Sequence, residues 1–174
     1  MSVITGTVYW NKCIVPDRYS QDDPLQWSID IGNLDAKAMK VLKSINVDHR
    51  VKNKSEGLNT KGADPDDVRG NFITFRQPVE RKDGKPNQAP RFVDAEKNEL
   101  HPTTNEWLGN GSIVNVVFEG RDSKFAAGGR TVSLKTIQVV EQKQYTPSSS
   151  ADDELDVVAG GFVADDDEIP FPSN

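Results

Sequence analysis

Arg130-Thr131-Val132-Ser133-Leu134-Lys135-Thr136-Ile137-Gln138-Val139-Val140 carries its apolar residues in two phases. Val132 and Leu134 occupy one alternation, Ile137 and Val139 the other, so a straight strand would turn half of them to water. A bulge or sharp bend between the halves returns both sets to one side. Small closed barrels need such corners, because a flat sheet does not close on itself.

Upstream, the breaker Gly109-Asn110-Gly111 precedes an alternating run, residues 113–118, with Val114, Val116 and Phe118 on one face. The two strands are joined by a hairpin containing Lys124 and Phe125. Residues 5–10 read as a first strand, with a bend or bulge at Gly6. Trp27-Ser28-Ile29-Asp30-Ile31 alternates strictly, and its Trp27, Ile29 and Ile31 face reads as core. Asp35 is placed to cap a helix running to about Ser44, with Lys37, Lys40 and Lys43 on a solvated side. Residues 46–69 are polar and aperiodic, a long loop with at most a short helical turn. Residues 71–76 form the third strand, closed by Pro78. Lys82-Asp83-Gly84-Lys85 is a turn leading to a short strand at residues 91–93, and residues 94–100 give a weaker signal. The sum is an all-β chain with one or two helices, an OB-fold-like small antiparallel β-barrel, with a sandwich as the alternative.

Charge divides the chain. The net charge is −6, from 21 Lys and Arg against 27 Asp and Glu. Eight of those acids (Asp152, Asp153, Glu154, Asp156, Asp165, Asp166, Asp167, Glu168) lie after residue 150, where there is no Lys or Arg, so that segment carries −8 and the rest about +2. Beyond Tyr145 the composition turns to Thr, Pro and Ser, then acids, then Ala159-Gly160-Gly161, which cannot bury enough apolar surface to offset ordering entropy. The expected organisation is a domain over residues 1–145 and a disordered acidic tail over 146–174.

A cationic domain with exposed aromatics suits a single nucleic-acid strand, which needs ring faces for its bases and cations for its phosphates. Ten basic residues fall between positions 50 and 91, among them Arg50, Lys52, Lys54, Arg76 and Arg91, with Phe72, Phe75 and Phe92 on neighbouring strands. Phe72 and Arg76 share one face of their strand, Ile73 and Phe75 the other, so one face reads as groove and one as core. Tyr9 and Trp10 are adjacent in a strand and face opposite ways, one buried and one available. Phe125 sits beside Lys124 at a hairpin tip flanked by Arg121 and Arg130, where an apolar ring has little structural reason to be. The candidate contacts are therefore Tyr9, Trp10, Lys52, Lys54, Phe72, Arg76, Arg91, Phe92, Arg121, Lys124, Phe125 and Arg130.

Asp165-Asp166-Asp167-Glu168-Ile169-Pro170-Phe171 resembles the acidic tip of bacterial single-stranded DNA-binding proteins. The order of segments in the body resembles the single-stranded DNA-binding proteins of tailed phages: an aromatic first strand, Pro16-Asp17-Arg18-Tyr19, an alternating strand into a helix, a Phe-rich strand, a Gly-Ser-led hairpin and a final strand into an acidic tail. The resemblance implies a barrel that coats single-stranded DNA without strong sequence preference during phage replication and recombination. It also implies that residues 165–171 recruit a polymerase, helicase or primase. The tip here continues into Pro172-Ser173-Asn174, whereas those families end on the aromatic residue. A homodimer is left open.

Other functions have less support. No stretch approaches the roughly 18 apolar residues of a membrane span, and the N-terminus lacks the pattern of a secretory signal, so a cytoplasmic protein without membrane contact is expected. Cys13, His49 and His101 offer no metal-ligand spacing, and no metal or cofactor is expected. Asp64-Pro65-Asp66-Asp67 is the only hint of a magnesium-dependent nuclease, without companion catalytic groups, and Gly128-Gly129 lacks the lysine of a phosphate loop. An enzyme is not expected. A barrel that binds only proteins is the remaining alternative.

Overall fold

The computed structural model describes residues 1–145, and the expected tail lies outside them. The strands are β1 (Ser2–Asp17), β2 (Gln26–Gly32), β3 (Lys52–Asn53), β4 (Asn71–Pro78), β5 (Arg91–Val93), β6 (Glu99–Leu100), β7 (Ile113–Asp122) and β8 (Arg130–Glu141), with one α-helix, α1 (Ala36–Ser44), after β2. α1 starts where its cap predicts: Asp35 Oδ1 accepts from Ala38 N at 2.7 Å, and Ala38 and Leu42 turn inward.

β1 pairs with both β2 and β7, β2 passes to β4, and β7 passes to β8, all antiparallel. β4 and β8 then approach each other, where Ser133 Oγ donates to Gln77 Oε1 at 3.3 Å. The circuit β1-β2-β4-β8-β7 is thus a five-stranded, partly open barrel, as the alternation patterns predict. One pairing departs from expectation: β5 lies parallel to β8.

The corner in β8 falls where the apolar phase breaks. Phe118 pairs with Leu134 and Val117 with Thr136, which leaves Lys135 as the extra residue. Before it, β8 faces β4; after it, β8 pairs with β5. Val132, Leu134 and Ile137 all reach the core, and Val139 packs against it. Trp27, Ile29 and Ile31 are buried as expected, and Phe75 meets Phe118 edge-on at 5.3 Å in the centre.

The bulge in β1 is not at Gly6. Register with β7 runs unbroken from Ser2 to Thr7, and the extra residue falls between Tyr9 and Lys12, at Trp10 with φ 52°. Gly6 answers a different need: a Cβ there would stand 2.5 Å from Ile31 Cγ2 and 2.8 Å from the Gly32 carbonyl. β1 also outruns its expected end, because Asn105 serves as a partner, its Oδ1 accepting from Ile14 N and Val15 N and its Nδ2 donating to Val15 O.

Candidate nucleic-acid interface

Where the barrel opens between β4 and β8, a groove of about 680 Å³ runs along the surface. Residues 78–91 form its outer wall, held by Val79 N to Leu25 O, Asn87 N to Val79 O and Gln77 Nε2 to Gln88 O. Arg76, Arg81, Arg91, Arg121 and Lys135 line it, and no Asp or Glu does. Lys135 owes its place to the bulge, which re-aims the residue it inserts. Arg76 owes its place to β4: Ile73 and Phe75 fill the core, so the opposite phase points out.

The nearby acids stand outside the groove. Glu119 pairs with Arg121 at 3.0 Å and Lys135 at 3.6 Å, and Glu99 pairs with Arg91 at 3.4 Å. The Arg121 guanidinium, with Lys135 helping, holds the Glu119 carboxyl below its ordinary range. These pairs are exposed, so each contributes little and yields readily to a competing anion.

Phe125 projects from the β7–β8 hairpin, 88% exposed, and its ring centre lies 4.5 Å from Lys82 Nζ of the turn in the groove wall. Lys124 beside it is exposed. The hairpin rests on His49: a Cβ on Gly128, whose φ is +72°, would meet His49 Nε2 at 2.6 Å. A free aromatic face therefore stands beside a cationic channel.

Not every candidate belongs to this site. Arg76, Arg91 and Arg121 line the groove, with Lys124 and Phe125 at its hairpin. Lys52 is half-buried near Arg76 and Arg130 is half-buried beside Asp122, whereas Lys54 is paired with Asp64 at 3.5 Å in the 54–70 loop. Three aromatics need correction, because Tyr9, Phe72 and Phe92 are buried and offer no open ring face. The Tyr9 hydroxyl accepts from Asn33 Nδ2 at 3.0 Å and donates to Val68 O at 3.3 Å. Phe72 is on the outer face of β4 but lies beneath the Arg69 guanidinium at 3.9 Å, and Phe92 packs edge-on against Trp107 at 6.3 Å. Trp10 is 65% exposed but borders a separate hollow with Lys12, Asn105 and Tyr145.

Arg81 and Lys135 were missed by sequence reasoning, though Lys135 had a signal, as a residue at the break between two apolar phases. The acids of residues 64–67 serve structure: Asp64 pairs with Lys54 and Asp67 with Arg69. Among the described residues no three His, Cys, Asp or Glu are grouped to hold a metal, and no helix is long and apolar enough to cross a membrane.

No family model and no curated protein matches the sequence. In three dimensions the chain has the fold of bacteriophage single-stranded DNA-binding proteins. One is the single-stranded DNA-binding protein of bacteriophage Enc34 in complex with ssDNA, with a TM-score of 0.56 and 13% identity over 81% of this chain and 85% of that one. Another is gp2.5, the single-stranded DNA-binding protein encoded by bacteriophage T7, with a TM-score of 0.50 and 16% identity over 94% of this chain and 98% of that one.

Proposed function

We propose that residues 1–145 bind single-stranded DNA without strong sequence preference, and that the chain coats such strands during phage replication and recombination. The observation that carries this reading is the groove lined by five cations and no acid, with the exposed Phe125 ring at its edge. Cations along a channel take up the phosphate chain, and a ring face takes up whichever base arrives, because every base has a π-face. Likeness of fold to phage proteins, one of them described in complex with ssDNA, supports it. Residues 165–171 are the proposed docking peptide for a polymerase, helicase or primase, with Ile169 and Phe171 as apolar anchors among Asp165, Asp166, Asp167 and Glu168.

Electrophoretic shifts with single- and double-stranded oligonucleotides across a salt series test the reading. Single strands bind more tightly than duplex, and log affinity falls with log salt at about −0.7 per phosphate neutralised. Labelled strand recovered intact after incubation with magnesium separates binding from a nuclease. Phe125→Ala weakens binding by about 1–3 kcal/mol and leaves the melting temperature in place, since the ring is a platform and not core. Equal affinity for duplex, or none for either, removes the reading and leaves the protein-only adaptor.

A further inference from the structure

On the edge of β4 facing away from β2, β3 pairs at Asn71 and Phe72 and β8 arrives at Gln77. The residues between have no ladder partner on that edge among those described, and cations gather there. Arg50 comes from the turn before β3 and Arg130 from the start of β8, with Arg50 Nη1 donating to Arg130 O at 3.5 Å. Lys52 stands 6.0 Å from the Phe72 ring centre, and Arg76 projects from β4 itself.

Arg50, Lys52 and Arg76 feel one another. Burial and the Arg76 charge push the Arg50 guanidinium below its ordinary value, and burial, Arg76, Arg50 and Arg69 do the same to Lys52 against a smaller opposing pull from Asp30. None of the ion pairs among the described residues includes Arg50, Lys52 or Arg76, and Arg130 reaches only the exposed Asp122, at 3.7 Å. The Nε atoms of Arg50 and Arg130 are buried with no hydrogen-bond partner. Like charges held together at a half-buried place with donors unmet weaken the free fold. An oxyanion at the open ends of these side chains would offset the repulsion, and guanidinium forks suit phosphate.

We infer that Arg50, Lys52 and Arg76 form a cradle for one backbone phosphate, joined to the groove through Arg76, which belongs to both. The inference rests on the single-strand reading above and adds a fixed point to it. A strand leaving the groove turns at the root of the β7–β8 hairpin and is pinned there. The same three charges oppose each other when the cradle is free, so binding and stability trade against one another at these positions.

The full chain with Arg50→Gln, and separately with Lys52→Gln, tests this by titration with labelled oligothymidylate across a salt series and by melting without nucleic acid. For each variant the expected result is about tenfold weaker binding, the loss of one charge-assisted contact, with a salt slope shallower by at most the about 0.7 that one phosphate contributes. Each variant melts no lower than the unaltered protein. Inorganic pyrophosphate, against sodium chloride at matched ionic strength, raises the melting temperature of the unaltered chain and raises that of both variants less. Unchanged affinity in both variants overturns the cradle, as does a lowered melting temperature in both with no pyrophosphate shift, which would make the cations structural staples. If the unaltered chain binds no single strand, the single-strand reading fails instead, and the pyrophosphate shift alone then decides whether the cradle binds oxyanions.

Discussion

Arg69 ties the 54–70 loop to the barrel. Its Nη1 donates to Asp30 Oδ2 at 2.6 Å and its Nη2 to Asp67 Oδ2 at 2.7 Å, while its plane covers Phe72. Asp30 is held in turn by Thr74 Oγ1 at 2.6 Å. All three charged side chains are 14% exposed or less, so solvent screens them weakly. Arg69→Ala would strand two carboxylates and bare a ring, at a cost near the low end for a buried pair, about 3 kcal/mol. Asp67 is held below its ordinary value of 3.8, chiefly by its hydrogen bond to Arg69, and the Arg69 guanidinium is raised above its ordinary value chiefly by Asp67. A depressed carboxylate contributes stability above its unfolded value and loses it as pH falls through the folded one, and the guanidinium's share of the same pair goes with it. Urea melts of the native chain and Arg69→Ala should therefore differ most at neutral pH, the gap narrowing below pH 3.8 to what cover of the Phe72 ring contributes. A gap of the same size in acid would mean that Arg69 acts by packing alone. This residue also marks where a sequence falls short. Alternation puts Phe72 and Arg76 on one outer face, as the structure has it, but no periodicity foretells that Arg69 folds back over the ring. Tyr9 is hidden in the same way by Val68 and Asn33. Cover from a non-periodic loop is a tertiary fact, whereas the exposure of Phe125 follows from its place at a hairpin tip and persists with Lys82 over its ring.

At the scale of elements, period two carried most of the information. β2, β4 and β7 lie where alternation puts them, α1 begins at its Asp35 cap, and the phase break in β8 marked its bulge to within a residue. β3 and β6 could not be read, being two residues each and defined only by their partners. The far half of β1 was hidden because Asn105, some ninety residues away in sequence, supplies the bonds that a strand would. A glycine within a strand signals either a bulge or a close approach, and sequence alone does not separate them. The approach of Ile31 and Gly32 decides for the second, and it gives a prediction. Gly6→Ala should destabilise the chain by about 1–3 kcal/mol through overpacking, because backbone as well as side chain must give way. A thermal melt unchanged by that substitution would mean that β1 and β2 can part without loss.

At the scale of the whole chain, the net charge of −6 conceals a body near +2 and a segment after residue 150 at −8. The body's cations are concentrated further, five along the groove with no acid among its lining residues. A segment of eight acids joined to the domain it would visit is held at an effective concentration in the millimolar range, and the expectation is that it competes for a cationic groove as a weak mimic of the phosphate chain. DNA would then have to displace it, which would leave Ile169 and Phe171 free for a partner. Deleting residues 151–174 should therefore tighten single-stranded DNA binding, most at low salt, with the gain shrinking as ions shorten the reach of the charges to about 10 Å and below. Fluorescence titrations of the intact and truncated chains at low and high salt read this directly. If the acids serve only to keep the protein dispersed, truncation lowers solubility and leaves affinity alike at every salt concentration, which would refute groove mimicry. Partner docking is a separate matter, because it depends on apolar anchors and not on charge alone. Phe171→Ala should leave the salt-dependent competition nearly intact, since it removes no acid, and should abolish capture of a replication protein in a pull-down. Loss of both together would mean that the tip enters the groove through its ring, and that competition and recruitment are one contact rather than two.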